Sequence, residues 1–201
     1  MKTRISLFLL IFFVGIGCQR QDKRIINFKD EFKELLEYLP DTLFSDFPKV
    51  FDDSKTLYHM ALPFDQPTTG ARLHLVLLEQ DSIKINQVLA YLNGAGKKIS
   101  NSDTSLIIEA PIKGKGNINN QVSELPMPNF MVINTMLRQK TSIGLPDDYN
   151  IYVTYIGQTS SLEPKYRFTY QNLPSEWRDG TQVGIAVSPE RKVIVYWVET
   201  W

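Results

Sequence analysis

Residues 192–201, KVIVYWVETW, constrain the fold more than any other segment. Side chains alternate across a strand, which puts Val193, Val195 and Trp197 on one face and Ile194, Tyr196 and Val198 on the other. Both faces are apolar, so the segment reads as a central strand covered on both sides. Pro189-Glu190-Arg191, a turn of hairpin length, joins it to a second strand, QVGIAVS, at 182–188. NIYVTYIG (150–157) and KYRFTYQ (165–171) read as further strands, the latter with Tyr166, Phe168 and Tyr170 on one face. The last third of the chain therefore predicts antiparallel β-structure.

Earlier segments carry helical spacing. Asn27 can cap a helix with apolar positions Phe28, Phe32, Leu35, Leu36 and Leu39, stopped by Pro40. Residues 41–60 predict one or two short helical turns, so 27–66 read as a helical preface to an α+β domain at 67–201. The boundary falls in the turn-rich FDQPTTGA, 64–71. RLHLVLLEQ (72–80) reads as a strand, and a helix follows with Ile85, Val88, Leu89 and Leu92 on one face and a stop at Asn93-Gly94. SLIIEAPI (105–112) predicts the next strand; strand, helix and strand in this order predict a right-handed parallel crossover. A polar, Gly-rich stretch follows, then a helix near 130–139. The expected class is α+β: N-terminal helices, a βαβ unit, and antiparallel C-terminal strands in a mixed sheet.

The amino terminus carries an address. Lys2 and Arg4 precede an uncharged run of 13 residues, 5–17, and charge returns at Arg20, Asp22, Lys23 and Arg24. A bilayer-spanning helix needs roughly 20 apolar residues, so the run fits the apolar region of a signal peptide, 1–17, removed on export. The chain's one cysteine, Cys18, ends it. Gly15-Ile16-Gly17-Cys18 resembles the lipobox of bacterial lipoproteins, with Gly15 where an aliphatic residue is more usual. The resemblance implies diacylglycerol on the Cys18 thiol, cleavage before it and acylation of the new amino group. Two or three buried acyl chains, at about 0.8 kcal/mol per methylene, would then hold the protein on a bilayer. Gln19 after the cysteine, and a basic rather than acidic run behind it, imply an outer-membrane anchor facing the periplasm. A lipidated tether, 18–26, would keep the body near the membrane: an extended chain gains at most ~3.4 Å per residue.

Composition narrows the partners. The chain has 22 Lys+Arg and 22 Asp+Glu, and without clustered basic charge a nucleic-acid partner is disfavoured. Loss of Lys2 and Arg4 with the signal leaves 20 bases against 22 acids, so the body adds no attraction to anionic lipid. A 43% hydrophobic share is too high for a disordered chain. One cysteine rules out an internal disulfide or a multi-cysteine metal site.

No catalytic constellation stands out. Gly94-Ala95-Gly96-Lys97 is no phosphate loop: Tyr91 occupies the first glycine position, Lys98 the Ser/Thr position, and the helix precedes the glycines instead of following them. There is no GxSxG elbow and no paired-histidine motif around His59 or His74. His74, sharing a strand face with Arg72, Val76 and Leu78, reads as a partly exposed structural histidine, with Glu79 or Glu109 as the carboxylates the fold could bring to it. Asp52-Asp53 and Asp147-Asp148 read as turn and cap residues. Met60, Met127, Met131 and Met136 read as gap-filling core rather than soft metal ligands. Neither a catalytic centre, a metal site nor a cofactor is expected.

Aromatic residues crowd the C-terminal third: Tyr149, Tyr152, Tyr155, Tyr166, Phe168, Tyr170, Trp177, Tyr196, Trp197 and Trp201. Most should form core; an exposed subset could stack on a sugar or a partner protein. Trp177, in the loop LPSEWRDG, is the ring expected at the surface, with Tyr166 and Tyr170 as candidate companions. The favoured reading is a membrane-anchored, non-catalytic envelope binding or assembly module that docks a protein or glycan. The alternatives are an anchored hydrolase built on His74 and carboxylates, and a structural subunit of an envelope complex.

Overall fold

A computed structural model of the chain describes residues 28–50, 52–63, 70–99, 107–108, 125–139, 144–167 and 173–201. The signal segment, Cys18, the tether, Asn27, Glu109 and Tyr170 lie outside them. The fold is α+β. In chain order the elements are α1 (Phe28–Leu35), β1 (Thr56–Ala61), β2 (Ala71–Leu77), α2 (Ser82–Ala95), β3 (Lys97–Ile99), β4 (Ile107–Ile108), β5 (Met127–Pro128), α3 (Met131–Met136), β6 (Asn150–Gly157), β7 (Thr181–Ser188) and β8 (Val193–Thr200), with short 3-10 turns between several of them.

Six strands make one sheet in the order β1-β2-β8-β7-β6-β3, antiparallel at every neighbouring pair. β8 lies in its interior between β2 and β7, and all eight of its residues are buried. Its two faces divide as alternation requires. Ile194, Tyr196 and Val198 join the core beneath α1 and α2, with Leu35, Leu73, Leu92 and Val183. Val193, Val195 and Trp197 join a second core on the opposite face, with Phe130, Ile133 and Tyr149. One apolar strand thus sets three layers.

Strand, helix and strand do occur as β2-α2-β3, and with every neighbour antiparallel the two strands point the same way. The crossover nevertheless steps over β8, β7 and β6 instead of joining neighbours. Its second strand is β3 rather than residues 105–112, of which the two that form β4 pair in parallel with β5 in a separate small sheet. The main sheet is antiparallel, not mixed, because the twice-apolar C-terminal hairpin takes the centre and leaves β3 an edge position beside β6. Helix α2 runs past Gly94 to Ala95; Gly96, extended at φ −109°, turns the chain into β3. Asp81 caps the start, accepting from Lys84 N–H at 2.7 Å.

Two further expectations change. Of residues 41–60, expected to hold only one or two short helical turns, 56–60 fall in β1, whose pairing with β2 along its whole length outweighs weak local preference. The segment expected as a helical preface therefore contributes a strand, and Phe28, Leu35 and Leu39 share one core with Leu73 and Tyr196. Residues 165–166, expected to begin a strand, belong to a 3-10 turn, Pro164–Tyr166, where the proline ring fixes φ; 168–171 lie outside the described residues.

Candidate functional site

Two arrangements of polar residues stand apart from the apolar layers. The first is sealed. On the α3 side of the sheet, Arg72 faces Glu199 across β2 and β8, and His74 faces His59 across β1 and β2. Arg72 Nη2 lies 3.1 Å from Glu199 Oε1 and His74 Nε2 lies 3.5 Å from Oε2. These contacts are within ion-pair range but poorly aligned as hydrogen bonds. Among the described residues, both Glu199 oxygens, both His74 ring nitrogens, His59 Nδ1, and Arg72 Nε and Nη2 are buried without a hydrogen-bond partner. Phe130 covers the group, with ring centroids 5.4 Å from both His74 and Trp197. Trp197 Nε1–H donates to Gln182 Oε1 at 3.0 Å, and Gln182 Nε2–H donates to the Pro126 carbonyl.

Burial pushes the Glu199 carboxyl upward, but Arg72, His74 and His59 outweigh it, and its pKa is lowered on balance. Burial, with His74 and Arg72 beside it, lowers the His59 pKa to about 4, so the ring is neutral near pH 7. A histidine–carboxylate pair exists, as a hydrolase would require. Yet His74 and Glu199 side chains are each 1% exposed, and a side chain with no open surface cannot touch a substrate while the sheet stays closed. The sequence missed Glu199 as partner because only the β2–β8 register brings it to Arg72. Glu79 instead faces outward to Lys55 at 3.0 Å. His74 is buried, not partly exposed.

The second arrangement is open. A cleft of about 420 Å³ lies on the α1/α2 side, between the 3-10 turn Asp41–Phe44 with the residues after it, the C-terminal half of α2, and β6. This volume is within the ordinary range for small-molecule sites. Leu43 and Val183 form an apolar floor, both buried. Thr42, Ser45, Asp46, Thr154 and Ser161 supply polar groups, and among the described residues no lysine or arginine lines it. Tyr91 and Tyr155, 50% and 47% exposed, are its aromatic members. Tyr91 Oη–H donates to Asp46 Oδ1 at 2.6 Å across 45 residues, and this bond raises the tyrosine pKa.

A β-bulge makes the cleft. Val153 pairs with Gly184 and Tyr155 with Val183, so Thr154 is the extra residue in the β6–β7 ladder. In regular pairing Tyr155 would oppose Gln182 on the α3 face. The bulge turns Tyr155 to the same side as Val183, while Ile156, opposite Gln182, returns to the α3-side core. Two consecutive β6 residues, Thr154 and Tyr155, therefore line one cleft. The Tyr155 ring lies back over Gly157, where an added Cβ would stand 2.8 Å from its hydroxyl. Helix α2 is held against β6 by Tyr152 Oη–H donating to Asn93 Oδ1 at 2.9 Å and by the close approach of Gly96 to Tyr152.

The residues singled out from sequence do not gather here. Trp177 is half-buried in a short 3-10 turn, its carbonyl accepting from Trp201 Nε1–H at 2.8 Å. Tyr166 is half-buried edge-on to Tyr38, ring centroids 5.2 Å apart, with the Lys165 ammonium 4.6 Å from its ring. Neither lines the cleft. Tyr149, Tyr152, Tyr196, Trp197 and Trp201 are core, as expected for most of the set. Tyr155 was legible as one of the crowd, but its exposure follows from a bulge that no local pattern signals. Tyr91 and Asp46 had no signal.

Of the acidic pairs, Asp52 does the expected cap work, whereas Asp148 departs from it and makes an ion pair with Arg191 across 43 residues. Asp52 accepts from Ser54 N–H at 2.9 Å, and Asp148 holds Arg191 through two contacts of 2.7 and 3.0 Å. Met127 fills core, whereas Met131 and Met136 are 51% and 39% exposed.

Among the described residues no group of three or more His, Cys, Asp or Glu side chains is placed to hold a metal ion, and no helix is long and apolar enough to cross a membrane. Comparison with known proteins gives no match: no family model, no curated protein and no solved structure matches the chain.

Proposed function

We propose that the chain is a bacterial envelope lipoprotein, anchored through acylated Cys18 and acting as a non-catalytic binding module through the cleft between α2 and the β6 bulge. One observation carries the binding half of this reading. The bulge directs a tyrosine ring to the open side of the sheet, beside hydroxyls and a carboxylate, at a position where regular pairing would have turned it to the other side. Exposed rings set beside polar groups suit recognition, each ring giving area at little cost in rotamer entropy. The buried histidine–carboxylate group, with no open surface, supports a structural role for those residues. The anchor half rests on the charged start, the apolar run and the Gly17-Cys18 junction.

A photoreactive phenylalanine analogue in place of Tyr155, irradiated in intact envelopes, should trap one defined adduct. The same analogue in place of exposed Glu163, which does not line the cleft, should not trap it. Equal trapping at both positions, or none at Tyr155, would refute the cleft as the binding site.

A further inference from the structure

We propose that the cleft takes a neutral saccharide, a pyranose ring lying against Tyr91 and Tyr155 with its hydroxyls hydrogen-bonded to Asp46 and the neighbouring side-chain hydroxyls. This rests on the binding reading above and names the ligand class for the same site.

Three features of the lining select that class. The first is charge: among the described residues Asp46 is the one carboxylate lining the cleft, and no lysine or arginine lines it. An anionic ligand such as a phosphate or uronate would have to approach that carboxylate with no compensating cation. The second is polarity. Thr42, Ser45, Thr154 and Ser161 bring hydroxyls that both donate and accept, which matches a ligand whose polar groups are themselves hydroxyls. Asp46 gives Oδ1 to Tyr91, and among the described residues Oδ2 has no hydrogen bond, leaving a charged acceptor for a ligand hydroxyl. The third is the pair of half-exposed rings. One face of a pyranose is a patch of C–H groups, apolar and polarised toward a π-cloud, while its rim carries the hydroxyls. A wholly apolar ligand would strand the polar lining, and a flat aromatic ligand without a donor group would leave Asp46 unused.

One ring is held in place before a ligand arrives, and the other has space made for it. Tyr91 is tied to Asp46, and Tyr155 lies over Gly157, whose missing side chain makes the room. Such preorganisation lowers the cost of binding.

Calorimetric titration of the full chain, in a zwitterionic detergent that carries no sugar headgroup, tests the assignment with maltose, cellobiose and N,N′-diacetylchitobiose as probes. At least one should bind saturably at millimolar or tighter affinity, and glucuronate at least about tenfold more weakly than glucose. Asp46→Asn and Tyr155→Ala should each weaken the bound disaccharide about tenfold or more in a protein that keeps its cooperative thermal transition, because neither side chain belongs to a buried core. Gly157→Ala, which pushes the Tyr155 hydroxyl aside, should weaken it without removing any ligand contact. No saturable heat with any of the three disaccharides, or undiminished affinity in Asp46→Asn and Gly157→Ala, would overturn the proposal. Should Tyr155→Ala fail to fold, the Asp46 and Gly157 variants decide alone. If trapping at Tyr155 succeeds while the disaccharides do not bind, the saccharide assignment falls and the binding reading stands; if both fail, both fall.

Discussion

At the scale of single residues, the sealed group around Glu199 should dominate stability. Removing one partner of a buried ion pair leaves the other charge uncompensated, at a cost of about 3–5 kcal/mol. Glu199→Ala should therefore lower the unfolding free energy by about that much, because the Arg72 side chain is only 12% exposed and faces no other carboxylate across the sheet. Denaturant titration measures it, and a change below about 1 kcal/mol would contradict this account of the cluster. His59 gives the pH dependence. Its folded pKa, about 4, is below its usual value of 6.5, so the unfolded chain takes up the proton first as pH falls. Stability from this source is complete above pH 6.5, declines between 6.5 and 4, and is then fully lost. The full shift would be worth more, but His59 is only partly enclosed, and allowance for solvent screening leaves roughly 2 kcal/mol. His59→Gln should flatten the stability profile across that window. Glu199 adds a loss at lower pH, where its carboxylate takes up a proton.

At the scale of elements, β8 is the member on which both layers depend. Ile194, Tyr196 and Val198 serve one core and Val195 and Trp197 the other, and burial contributes about 1.5–3 kcal/mol for each such side chain. Removing 193–201 also deletes the ladders to β2 and β7 and the mutual backbone bonds of Trp201 and Gly180, at 2.9 and 3.1 Å. The total is comparable to the whole margin of a domain, about 5–15 kcal/mol. The truncated chain should show no cooperative thermal transition by circular dichroism; a transition at an unchanged midpoint would make β8 peripheral. This strand was legible because its evidence is local: six alternating apolar side chains. β6 and β7 were legible for the same reason. β1 was not, since Thr56–Ala61 carries no strong period and its strand state comes from β2. The cleft was least legible. Asp46 and Tyr91 are 45 residues apart, and a one-residue bulge decides where Tyr155 points.

At the scale of the whole molecule, anchor and body should prove separable. The described core begins at Phe28, ten residues beyond Cys18. Cys18→Ser should abolish incorporation of radiolabelled fatty acid while leaving the melting temperature of the body unchanged. Label retained on the serine variant would overturn the proposed anchor.

The interior place of β8 also governs when the sheet can close. Ala71 pairs with Thr200, which is made 129 residues later. At about 5–20 residues per second, β2 waits roughly 6 to 26 seconds for its partner. Until then the nascent chain holds β1 and β2, and later β6 and β7, with no strand between them. Closure therefore waits until β8 has been made, comes through contacts distant in sequence, and should be slow. For a chain exported as proposed, that delay has a use: it leaves the polypeptide open enough to be threaded across a membrane before it sets.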